Sequence, residues 1–112
     1  MGIKERRQRE KEQRRVEILA AARKIFSQKG YNASTMEEIS FEAELSPGTL
    51  YLYFKNKEEL HASLSVAVLK RLAQKIEKVS TLDVSITEKL DNFFTVFMDI
   101  YEDDPDIVIN LF

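Results

Sequence analysis

The side chains of this sequence that could act on another molecule are few, and their types exclude more chemistry than they allow. There is no cysteine, which removes disulfide scaffolding, thiol catalysis and cysteine-ligated zinc or iron–sulfur centres. His61 is the only histidine; with no second histidine or cysteine to share a metal, neither a catalytic nor a metal role is expected of it. The acidic group Asp99, Glu102, Asp103, Asp104 and Asp106 lacks the residue order and central glycine of an EF-hand loop, so a solvated turn is expected there. No nucleophile–base set and no phosphate loop is present. The expectation is therefore no enzyme, no metal and no cofactor. What remains is a compact string of small, aromatic and basic residues: Ser46-Pro47-Gly48-Thr49, then Tyr51, Tyr53 and Lys57.

Ser46 can cap a helix and Pro47 fits the first helical position, where its missing N–H costs nothing. Gly48 and Thr49 keep that opening small, so that another backbone or a base edge can approach closely. Lys57 stands at a helix start, where a cation opposes the helix dipole, and an external anion would explain it. The plainer readings are amphipathic packing for the two tyrosines and a solvated side chain for Lys57, whereas Ile39, Leu50 and Phe54 read as core.

Helices must position these residues. Ile18, Leu19, Ala22, Ile25 and Phe26 recur at helical spacing and Gly30 supplies a left-handed stop. A second, short helix runs to about Glu42, capped by Ser34 with Glu37 or by Thr35 with Glu38. A third spans Pro47 to about Tyr53. After Asn56-Lys57-Glu58-Glu59, the stripe Leu60, Leu64, Val68, Leu72, Ile76 and Val79 predicts a long fourth helix. Ser85-Ile86-Thr87-Glu88 caps a fifth, whose face of Ile86, Leu90, Phe93, Phe94, Phe97, Ile100 and Tyr101 is apolar and rich in aromatics. The final DIVINLF, residues 106–112, reads as the start of a sixth helix, in a chain expected to be incomplete because nothing further covers these faces.

The fold class is therefore all-α, in keeping with three glycines and two prolines among 112 residues. Residues 1–13 are expected to be a basic flexible arm, 14–56 a helix-turn-helix domain, 57–79 a connecting helix and 80–112 the start of a helical ligand-binding or dimerisation domain. Two short helices with a tight turn, the second opened by Ser-Pro-Gly-Thr, have the spacing of a helix-turn-helix whose second helix enters the major groove. The caps at Thr35, Ser46 and Lys57 direct unpaired N–H groups at phosphate oxygens.

Charge is arranged to suit. The chain is −2 overall, but residues 1–15 hold seven basic and three acidic groups, the composition of a solvated tail or of an arm on phosphates or in the minor groove. No stretch is long and apolar enough to span a membrane, and the N-terminus has no secretory apolar core, so a cytoplasmic protein is expected.

GYNASTMEEISFEAELSPGTLYLYFKNKEEL, residues 30–60, resembles the DNA-binding signature of the tetracycline-repressor (TetR) family. GTLYLYF followed by a Lys-Glu-Glu-Leu helix start is a compound pattern, and residues 14–79 are similar to the family's DNA-binding portion. The resemblance implies that Thr35 touches phosphate, Thr49 and Tyr51 face bases, Tyr53 and Lys57 grip the backbone, and Leu50 and Phe54 lock the recognition helix. Three residues depart from the family pattern: Pro47 replaces a basic or polar residue, Glu44 a turn glycine and Ser40 an alanine. The resemblance further implies a homodimer on a palindromic double-stranded DNA operator, most often repressing, controlled by a small-molecule effector of unknown identity. The rival expectation is a helical protein–protein interaction module built on the faces of helices four and five.

Overall fold

The computed structural model describes residues 2–111, and the side chains of residues 2–109. Met1 and Phe112, the ends of the predicted arm and of the predicted sixth helix, lie outside the described residues. Six helices follow in order: α1 Ile3–Lys29, α2 Met36–Glu42, α3 Pro47–Tyr53, α4 Lys57–Ser80, α5 Ile86–Asp103 and α6 Pro105–Leu111. No strand occurs among the described residues, and none of their helices is long and apolar enough to cross a membrane.

The segment expected as a flexible arm is helical from Ile3. Lysine, arginine, glutamate and glutamine are strong helix formers, and pairs one turn apart support them: Arg6 with Glu10 at 3.9 Å and Gln13 with Glu17 at 3.3 Å. Solvation of that segment is as expected, since residues 2–14 are all exposed.

The chain divides into two compact units, residues 1–63 and 64–112, with the division inside α4. In the first, Ile18, Ala22, Phe26, Ile39, Leu50, Phe54 and Leu60 are almost fully buried and form the core on which α1, α2 and α3 meet. Gly30, at φ 81°, ends α1 in the left-handed region that glycine enters without strain. Of the two capping registers for α2, Thr35 is the one used: its Oγ1 accepts the Glu38 N–H at 3.1 Å, while Ser34 is buried and its hydroxyl donates to the Gly30 carbonyl at 2.6 Å. The ion pairs Lys24–Glu42, at 2.6 Å, and Lys29–Glu38 tie α1 to both ends of α2. His61 packs edge-on against Tyr31 and Phe26.

In the second unit α5 and α6 pack on one another, burying Ile100, Ile107 and Val108. Ser85 caps α5 by accepting the Glu88 N–H at 3.2 Å. The acidic group predicted as a solvated turn is partly structural. Arg71 donates to Asp103 at 2.5 Å and lies 3.9 Å from Asp104, which is buried. The apolar face of α5, for which no cover was expected within this chain, is largely open: Ile86, Leu90, Phe93 and Phe94 are exposed. Of these, Ile86, Leu90 and Phe93 line a groove of about 450 Å³ together with Ile76, Val79, Ser80 and Lys89.

Candidate nucleic-acid interface

The turn between α2 and α3 decides how α3 is presented. Ala43 ends α2 by donating to the Ile39 carbonyl at 2.9 Å, and Leu45 N–H reaches back to the Ser40 carbonyl at 2.9 Å. Between them Glu44 adopts φ 60°. The departure from glycine at this position thus leaves the left-handed turn in place, at a steric cost of roughly 1–2 kcal/mol for a residue with a Cβ.

Ser46 then caps α3. Its Oγ accepts the Thr49 N–H at 3.2 Å and shares a hydrogen bond with Thr49 Oγ1 at 2.9 Å, and Pro47 occupies the first turn. Leu50 is buried, and at about 100° per residue the two positions facing away from it are Gly48 and Leu52. Thr49 lies on one flank of that outward face and is half-buried; Tyr51 lies on the other and is 46% exposed. Tyr53 is half-buried beside Phe54, which closes the helix and lies under the Arg15 guanidinium, 4.8 Å from its ring centroid.

An added Cβ at Gly48 would meet nothing within 4 Å. Neither the backbone angle nor internal packing requires glycine there. Its absent side chain therefore keeps the outward surface of α3 low at this point.

Ser46, Pro47, Gly48, Thr49, Tyr51 and Tyr53 are thus gathered on one short helix, and Thr35 caps the preceding one, with its hydroxyl also donating to Glu38 Oε1 at 3.0 Å. Lys57 differs from expectation. Its ammonium does not face outward toward an anion; it donates to the carbonyls of Tyr31 at 2.8 Å, Asn32 at 3.2 Å and Ser34 at 3.1 Å. Three carbonyls left by the end of α1 and the following turn converge on it, and they outcompete solvent for a cation that is already half-buried.

Leu52 escapes a reading based on apolar type alone, yet it is 84% exposed. Its distance of two residues from Leu50 is the signal, since a helix cannot bury both. The same spacing from Ile39 explains Phe41, 85% exposed on α2.

Residues 18–64 match the family described as bacterial regulatory proteins, tetR family. The HTH-type transcriptional regulator YhgD of Bacillus subtilis, itself described as uncharacterized, is 44% identical over 61 residues, 54% of this chain and 32% of that protein. The fatty acid metabolism regulator protein of Bacillus subtilis is 32% identical over 75 residues, 67% of this chain and 39% of that protein. Among solved structures, the TetR family transcriptional regulator PfmR of Thermus thermophilus superposes with a TM-score of 0.71 at 29% identity, over 84% of this chain and 50% of that one. The chain thus spans about a third of the curated relatives' length and half of the solved one's. The matched segment contains Thr35, the left-handed turn, all of α3 and Lys57. Through residues 18–64, the chain belongs to the tetR family of bacterial regulatory proteins.

Proposed function

We propose that the protein is a cytoplasmic, sequence-specific DNA-binding transcriptional regulator, in which α3 enters the major groove. Thr49 and Tyr51 read base edges there, and Tyr53 and Thr35 hold phosphates. The observation that carries this reading is the open surface over Gly48, flanked by Thr49 and Tyr51 on a helix locked from behind by Leu50. A small outward face between polar and aromatic flanks fits a duplex groove; catalysis by the hydroxyls of this helix would require an activating base, and α3 carries no histidine, carboxylate or lysine.

Gly48→Ala tests it. Alanine is the better helix former, so thermal stability should stay constant or rise by up to about 1 kcal/mol, while affinity for a duplex from upstream of the protein's own gene falls at least tenfold relative to random duplex. Unchanged discrimination would sink the assignment.

Family membership supports a homodimer on a palindromic operator, with a small molecule shifting the spacing of two reading heads. The effector need only favour the non-binding spacing by a few kcal/mol to release DNA and relieve repression. The apolar groove along α5 favours a second reading, a helical module that binds another protein through that face. Binding of a partner that survives Tyr51→Ala with Tyr53→Ala, in a protein without operator affinity, would select that reading.

A further inference from the structure

The first turns of α1 carry a charge pattern that the recognition helix does not use. Steps of three, four and three residues align Lys4, Arg7, Lys11 and Arg14 along one helical line, which spans roughly 15 Å. Steps of four, four and three continue the same line through Ile18, Ala22 and Ile25, all buried. The face that packs into the domain thus becomes a cationic stripe where the helix extends past it. Arg15, next to the last cation of the stripe, lies over Phe54 at the end of α3 and donates to Ser63 at 3.4 Å.

Acidic residues do not neutralise this line. Glu10, one turn from both Arg7 and Arg14, pairs instead with Arg6, and Glu17, one turn from Arg14, takes the Gln13 amide. Among the described residues Lys4, Arg7, Lys11 and Arg14 make no ion pair. Four like charges one turn apart repel one another, and a polyanion laid along them removes that repulsion while releasing its own counterions.

We infer that the projecting part of α1 is a second DNA-contacting element, a rigid helical prong that lays Lys4, Arg7, Lys11 and Arg14 along the phosphates of one strand beside the segment read by α3. This inference rests on the DNA-binding reading above. The prong adds affinity without sequence preference, because phosphates are the same at every step.

The test compares two variants of equal charge change in the full protein: Arg7→Gln with Lys11→Gln on the stripe, and Arg6→Gln with Arg9→Gln off it. Glutamine preserves helix formation, to be checked by circular dichroism. Affinity is measured against salt for a duplex from upstream of the protein's own gene and for a random duplex. The stripe variant should flatten the logarithmic salt slope by about 2 on both duplexes, at about 0.9 for each phosphate that the protein no longer neutralises, and the control variant should leave it unchanged. Equal flattening in both variants, or none in either, overturns the prong. So does an unchanged DNA slope with loss of binding to phosphatidylserine vesicles, which would assign the stripe to a membrane surface. A wild-type protein that binds neither duplex overturns the regulator reading itself.

Discussion

Lys57 holds the carbonyl oxygen of Tyr31 at 2.8 Å while its ammonium sits 4.6 Å from the centroid of the same residue's ring. One cation thus grips both the main chain and the π face of a residue 26 positions earlier. Through Asn32 and Ser34 it also fixes the turn that delivers Thr35 to the start of α2. Lys57 is thus engaged within the domain, by three carbonyls and one ring.

Lys57→Met should therefore lower folding stability by about 2 kcal/mol, because three convergent carbonyls lose a charged donor. Lys57→Arg should recover less than half of that, since a planar guanidinium cannot point at three carbonyls as an ammonium does. Urea unfolding measures both. A lysine that served only to hold an outside phosphate would leave the unfolding midpoint where it is.

Leu52→Ala should change stability by less than about 0.5 kcal/mol, as expected of an exposed position. Operator affinity should nevertheless fall several-fold, because Leu52 shares the outward face with Gly48 and can meet a thymine methyl in the groove. Replacing single thymines of the operator by uracil should reproduce the loss at one position and add nothing to it in the variant. Full affinity in Leu52→Ala would remove this residue from the interface.

The Glu38 carboxyl is held below the usual glutamate range, chiefly by its contact with Lys29 and then by the Thr35 hydroxyl. A pKa lower in the folded than in the unfolded state means that the native protein binds fewer protons. The contribution is therefore complete above the ordinary value of 4.5 and disappears as pH falls through the depressed folded value. Lys29→Met should raise the Glu38 titration midpoint seen by NMR and flatten the stability profile in that acid window. An unmoved midpoint would show that Thr35 alone sets it.

Glu44→Gly should stabilise the protein. The left-handed backbone costs a residue with a Cβ roughly 1–2 kcal/mol, and glycine returns part of that through greater freedom in the unfolded chain. A net gain of about 0.5–1 kcal/mol, or ~2–5 °C in Tm, is expected. Calorimetry of the two proteins decides it; a lower Tm would mean that Glu44 makes up for its backbone angle elsewhere.

Local chemistry made most of this legible in the sequence. Caps at Ser46 and Ser85, the proline opening α3, the glycine ending α1 and the buried stripe of Ile18, Ala22 and Ile25 each depend on neighbours within a turn or two. Partners distant in sequence were not legible. Lys57 looked like a surface cation because the carbonyls that hold it lie 23 to 26 residues away. The α1 extension read as a tail because charge suggests solvent, although the same residues are good helix formers. Leu52 was hidden by its type, since an apolar residue in a short helix is normally assigned to the core and only its angle to Leu50 places it outside.

The turn at Glu44 has a genetic corollary. Both glutamate codons, GAA and GAG, become glycine codons through an A-to-G transition at the second base. The strained turn residue thus lies a single base change away from relief. A population carrying this gene and selected at rising temperature, with regulation maintained, should repeatedly recover that transition among its earliest survivors.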